Sequence, residues 1–293
     1  MASFFSIYEA QFQLFLIGVG FAYSQQIVLR AGVFSIATAG FASIGAYAAA
    51  IFVTRYGVPP ALAIVIAAAI GGLVGTVLSI PLVRLRGVYQ AIATLAFVQV
   101  VMAFAFYAEP LTGGALGINR IPQVVKTWHL LLAVGVTMYL TFSIAHSGMG
   151  RAFDAIRQNE MVAATLGVSI VRYQTIAFVI SGLLGGLFGG FLALQSFSVT
   201  PEHFGFAFLT AVLAYIVLGG RNSVLGPFVG CAILSALPEI VRPLAEFRML
   251  VQGALMIVVI NYMPMGVVDT LQMVVRRSRA AEKTNNPAKV PAL

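Results

Sequence analysis

Apolar runs of about 20 residues recur along the chain, which is the helix length that crosses a hydrocarbon layer of roughly 30 Å. Each run is closed by a short polar or glycine-bearing break. Within the runs no alternation extends over the roughly ten residues that a barrel strand requires. Helical spans are then the reading that leaves no backbone group unsatisfied in lipid. The pattern predicts nine spans, at about 11–29, 33–54, 60–83, 88–108, 127–147, 173–194, 205–219, 223–241 and 249–268. The seventh is short, and spans two, seven and eight are rich in Gly, Ser and Thr. Broken or re-entrant segments fit there, so the span count ranges from eight to ten. The fold class is all-α, a polytopic transmembrane helical bundle.

One interruption is long and polar: GRAFDAIRQNEMVAATLGVSIVR, residues 150–172. On a helix, Phe153, Ile156, Ala163 or Ala164, and Gly167 fall on one narrow small-and-apolar face. Arg151, Asp154, Arg157 and Glu160 stand at successive i,i+3 positions with alternating sign, a pattern that supports an exposed helix. The same pattern fits a solvated linker, and periodicity alone leaves both open.

Basic residues give the sidedness. With nine spans and an internal tail, Arg276, Arg277, Arg279, Lys283, Lys289, Arg30, Arg84, Arg86, Arg151, Arg157, Arg172 and Arg221 fall inside. Only Arg55, Arg120, Lys126, Arg242 and Arg248 fall outside, so the positive-inside bias predicts an external N-terminus and a cytoplasmic C-terminus. The first residues, MASFFSIYEAQFQ, lack the basic region of a signal peptide, so the first span is expected to be retained. The organisation expected is a transmembrane domain over 1–269 with a cytoplasmic loop at 148–172. A polar, disordered tail over 270–293 follows.

Composition closes off other classes. The chain is 60% hydrophobic and 9% charged with a mean hydropathy of +0.97, whereas soluble domains carry about 25% charged residues. The net charge of +8 comes from residues scattered at span ends, which fits membrane orientation and not nucleic-acid binding. His129, His146 and His203 are too dispersed for a metal site, and the single Cys231 reads as a small buried apolar group. No paired carboxylates or Ser-His-Asp set can be assembled, so no catalytic residue is assigned.

The polar residues inside the spans are uncharged: Gln25, Gln26, Ser35, Thr38 and Ser43 early, then Gln90, Thr94 and Gln99. They serve either interhelical hydrogen bonding or a path for a small polar solute, and of these Ser35, Thr38, Ser43, Gln90 and Thr94 are the candidate path residues. Glu109, Glu202, Glu239, Glu246 and Asp269 all lie near segment ends, which counts against ion-coupled transport. Gly182, Gly185, Gly186, Gly189 and Gly190 form a small-residue stripe on span six, the spacing by which helix backbones approach closely.

Glu160-x-x-Ala163-Ala164-x-x-Gly167 resembles the loop by which permeases of ABC importers engage their ATPases. More closely, residues 150–182 resemble the branched-chain amino acid permease family of LivM type. GVFSIATAGFASIGAY at 32–47, LVRLRGVYQAIATLAF at 82–97, LTGGALGI at 111–118, SVTPEHFGF at 198–206 and VLGGRNSVLGPFVG at 217–230 agree in order. The chain departs from its relatives at Thr38, where they usually carry a histidine. The resemblance implies an ABC-importer permease of the bacterial inner membrane for branched-chain or related amino acids. It implies a second permease subunit of similar fold, two cytoplasmic ATPase subunits bound at the permeases' cytoplasmic loops (here Arg151–Gly167), and an extracytoplasmic solute-binding protein. ATP and Mg would sit on the ATPases, since this chain has no G-x-x-x-x-G-K-[ST] loop and needs no cofactor of its own. The alternative is a self-sufficient secondary transporter or channel for a small polar solute.

Overall fold

A computed structural model describes residues 2–240 together with 253, 257, 261, 263, 266–271 and 273. The helices in chain order are α1 Ala2–Arg30, α2 Thr38–Thr54, α3 Pro60–Leu82, α4 Val88–Tyr107, α5 Glu109–Thr112 and α6 Thr127–His146. They continue with α7 Gly148–Gln158, α8 Glu160–Thr165, α9 Ile170–Gln195, α10 Phe206–Gly219 and α11 Gly226–Ile240. Two-residue strands β1 (Ile118–Asn119) and β2 (Ser198–Val199) pair antiparallel, Ile118 opposite Val199. Among the described residues six helices are long and apolar enough to cross a membrane: α1, α3, α4, α6, α9, and α10 taken with the 3-10 turn Pro201–Phe204 before it. Two shorter apolar helices, α2 and α11, account for two more of the expected spans. Most of the expected ninth span at 249–268, and nearly all of the tail at 270–293, lie outside the described residues.

The chain divides into two compact units, residues 1–213 and 214–293. In the first, α9 is the axis, packed lengthwise against α3, α2 and α1. Burial follows: α1 and α9 are enclosed by the bundle, while α3, α4 and α6 turn Leu73, Val77, Val100, Phe104, Leu132 and Val136 outward, as lipid-facing helices do. Lipid tails are as apolar as these side chains, so burial of apolar area does not hold the helices together; close van der Waals packing does. The glycine stripe on α9 shows how. A Cβ on Gly182, Gly186 or Gly189 would run into the backbone carbonyl of Gly71, Ala67 or Ala42 respectively, and one on Gly185 would stand 2.7 Å from Phe41 Cβ. Gly190 is looser, with Ala67 Cβ at 3.2 Å. The backbone of α9 thus lies directly on those of α3 and α2.

A groove of about 860 Å³ opens between α3, α6 and α9, lined by Ile64, Leu132, Val136, Leu187 and Phe191 with Trp128 at its edge.

The segment Ala31–Ala37 corrects the predicted start of the second span, which was set at residue 33. It is apolar enough for helix but is not helical, and α2 begins at Thr38. Non-helical backbone at membrane depth needs side-chain partners. Gln25 Nε2 donates to the Ser35 carbonyl, and Thr94 Oγ1 accepts from the Ile36 N–H at 3.0 Å.

In the second unit Ala214, Leu218 and Leu234 pack together, and the carboxylate of Asp269 closes the turn after α10. Its oxygens accept the N–H groups of Asn222 (2.9 Å) and Ser223 (2.8 Å), and the group is buried. Gly220 there has φ +108° and lies against this carboxylate, a left-handed backbone that only glycine adopts cheaply. Asp269→Ala would remove the carboxylate that accepts from the buried Ser223 N–H and the part-buried Asn222 N–H, at about 1–3 kcal/mol for the buried one. The expected result is a clear drop in the thermal midpoint of the detergent-purified protein, only partly recovered by Asp269→Asn; an unchanged midpoint would show the clasp to be idle.

Candidate functional site

The polar interruption is two helices, not the single one that the i,i+3 charge ladder predicts. Ser147 caps α7, its Oγ accepting from the Met149 and Gly150 N–H groups at 3.2 and 3.4 Å. The chain then straightens at Asn159 (φ −161°, ψ 110°), whose Oδ1 accepts from Met161 N–H (3.0 Å) and Val162 N–H (3.2 Å) to start α8. An asparagine that caps a new helix is a stronger local instruction than continuation of the old one. Gly167, at φ +82°, ends α8 with a Schellman pair: its N–H bonds to the Ala164 carbonyl, and the Val168 N–H to the Ala163 carbonyl, both at 3.0 Å. All three breaks are written in local residues.

The break redirects the charged ladder. Arg157 still reaches Asp154 (3.4 Å), but Glu160 opens α8 and turns elsewhere. Its carboxylate accepts from Gln174 Nε2 on α9 at 3.3 Å and stands 3.8 Å from Arg86 in the loop between α3 and α4. Arg86 is 74% exposed, so solvent screens that ion pair and Gln174 is the firmer anchor. The inner face of α7 is fixed by packing. Phe153 and Ile156 are buried, and Phe153 meets the Tyr173 ring edge-on at 6.2 Å within a cluster that includes Ile27, Ala31 and Ala177. A Cβ on Gly32, in the turn after α1, would touch the Arg157 backbone at 3.3 Å. Two turns, after α1 and before α4, and the first turns of helix α9 thus meet at one end of the bundle around α7 and α8.

The outward face is not the one that the stripe marks. Ala163 is buried, whereas Ala164 and Gly167 are exposed along with Arg151. The large apolar groups standing in the open are Met161 (70% exposed), Val162 and Leu166 (75%). A groove of about 380 Å³ runs beside them, lined by Arg151, Asp154, Gln158, Asn159, Val162 and Leu166. Three exposed apolar side chains, two on the six-residue α8 and one at its C-cap, rimmed by charge, have the make-up of an interface anchor. Sequence reasoning passed over them because the resemblance rests on the intervening small residues.

The candidate path residues separate into two kinds. Thr38 Oγ1 donates to Gln25 Oε1 at 2.6 Å, Ser35 Oγ accepts from the Ala37 N–H, Gln90 Nε2 donates to the Leu82 carbonyl, and Thr94 bonds within α4 and to Ile36. Four of the five are thus engaged in pinning the α1–α2 segment and the α3–α4 loop. Ser43, on α2, is not among them. No group of three or more His, Cys, Asp or Glu among the described residues could hold a metal ion.

Long apolar helices around a glycine-packed axis, with a capped two-helix element held at one end, define a multi-pass helical membrane protein. The chain belongs to the family described as branched-chain amino acid transport system / permease component, whose profile matches residues 11–260. It is 29% identical over 274 residues to the high-affinity branched-chain amino acid transport system permease protein LivM of Salmonella typhimurium, covering 82% of this chain and 64% of that one. It is 28% identical over 291 residues to the LivM protein of Escherichia coli, with 88% and 68% covered. Similarity extends to the fructose import permease protein FrcC of Rhizobium meliloti, 25% identical over 241 residues, with 76% and 66% covered. The chain therefore spans about two thirds of the length of these relatives. No solved structure matches it significantly.

Proposed function

We propose that this chain is the membrane-spanning permease subunit of an ATP-driven ABC importer of the bacterial inner membrane. Its solute would be a branched-chain amino acid, delivered by an extracytoplasmic binding protein. The observation that carries this reading is the α7–α8 element: capped at both starts, pinned through Glu160, Phe153 and Ile156, and presenting Met161, Val162 and Leu166 outward. An element so rigid and so apolar on its free face is built to receive a partner, and two cytoplasmic ATPase subunits are the partners that supply the energy, one engaging this element. A second permease subunit of similar fold completes the path. The preponderance of basic residues around this end of the bundle supports a cytoplasmic position for α7 and α8, with the N-terminus outside. The solute follows from the LivM relatives; FrcC shows that the family's scaffold also serves a sugar permease.

The test is reconstitution. The chain, purified with the second permease and the ATPases encoded beside it, is placed in proteoliposomes with the matching binding protein. L-Leucine uptake is expected only when ATP and the binding protein are both present. Uptake by this chain alone, driven by an ion gradient, would overturn the importer reading in favour of a self-sufficient transporter.

A further inference from the structure

Ser43 and Tyr47 stand one turn apart near the middle of the 17-residue α2, so their side chains share one face of that helix. Both are enclosed, at 1% and 6% exposure, and neither Ser43 Oγ nor Tyr47 OH has a hydrogen-bond partner among the described residues. This sets them apart from Thr38 and Thr94, whose hydroxyls bond to Gln25 and to the Gln90 carbonyl, and from Ser24, which bonds to Ser181 at 2.8 Å. A buried hydroxyl left unpaired lowers stability, and Ala and Phe would fill the same two places without that penalty. Two such groups on one helix face, when every other buried hydroxyl among the described residues has a partner, call for a partner that arrives and leaves.

We propose that Ser43 and Tyr47 form a transient binding station at which the polar head of the transported solute is hydrogen-bonded on its way through the membrane. The station rests on the importer reading above, under which the solute is an amino acid and its carboxylate accepts from both hydroxyls. Its chemistry suits passage. Two neutral donors replace part of the solute's hydration without the fixed counter-charge that would trap it, and a permease fed by a binding protein needs little affinity of its own. The polar surroundings of Thr38 and Gln25 lie one turn or more further toward the start of α2, on the route to the α7–α8 end.

The experiment compares wild type with Ser43→Ala, Tyr47→Phe and the double variant, each in the complete reconstituted importer with L-leucine as probe. Uptake per ATP hydrolysed and thermal midpoint are read together. The double variant is expected to lose about tenfold in uptake, the scale of two hydrogen bonds of membrane strength. Its thermal midpoint should stay level or rise, because two unpaired hydroxyls have gone. Wild-type uptake in the double variant overturns the station. So does a joint fall in uptake and midpoint, which would make the hydroxyls structural. If wild type itself shows no ATP-driven leucine uptake, the substrate reading fails and the station falls with it; variants unaffected beside an active wild type overturn the station alone.

Discussion

Gly186→Ala is expected to prevent the bundle from assembling, although it adds a single methyl group. That methyl would enter the space held by the Ala67 carbonyl and lie 3.1 Å from the Gly71 Cα on α3, while on the adjoining side Gly45 of α2 already rests on the Gly186 backbone. A flexible side chain could swing aside; main chain on two sides cannot. The helices would have to separate along their length, giving up the dispersion contacts that hold them together in lipid. A cost of about 3 kcal/mol, the upper end of overpacking penalties, is the expectation for a backbone contact. Gly190→Ala is the control. Its methyl would meet two other methyl groups, at 3.2 and 3.5 Å, which can give way by a few tenths of an ångström. Monodisperse yield and thermal midpoint should therefore collapse for the first variant and hold for the second. Equal behaviour would mean that α9 does not pack by backbone contact.

The second large effect is expected at α8. Leu166→Glu puts a charge on the most exposed side chain of the apolar face, and loss of a buried anchor typically costs 2 kcal/mol or more, about a 30-fold weaker complex. ATPase subunits should no longer copurify with the permease, while its own midpoint is unchanged because Leu166 touches little else. Glu160→Gln is the contrasting variant. Its side chain points inward to Gln174 and Arg86, so assembly should survive. If Leu166→Glu leaves copurification intact while Glu160→Gln abolishes it, the outward face has been misassigned.

How much of this was legible beforehand depends on whether the determinant is local. Span edges were readable because apolarity ends where helices end: the fourth run, set at 88–108, is α4 at Val88–Tyr107. The start of α2 was not, because Val33–Ala37 is as apolar as a helix and is held open by Gln25 and Thr94, partners that no periodicity reveals. The break at Asn159 had a local sign, a helix-capping residue, which the charge ladder overrode. At the candidate site, the glycine spacing on α9 announced close packing, but not that α3 and α2 would supply the opposing backbone. Glu160 lies in this element, but its contacts with Arg86 and Gln174 join segments far apart in sequence and leave no mark in the charge pattern. The unpaired state of Ser43 is likewise a property of its surroundings and not of its neighbours in sequence.

The meeting of two turns and the start of α9 around α7 and α8 has a mechanical meaning. The turn after α1 touches Arg157, the loop before α4 reaches Glu160, and α9 holds Glu160 through Gln174 and Phe153 through Tyr173. A force applied to α8 is therefore not handed from helix to helix in series. It passes directly to α9 through Gln174, and through α7 to α9 and the end of α1, as a yoke loads two shafts at once. Under the importer reading, cutting either connection should therefore weaken transmission from α8 without abolishing it.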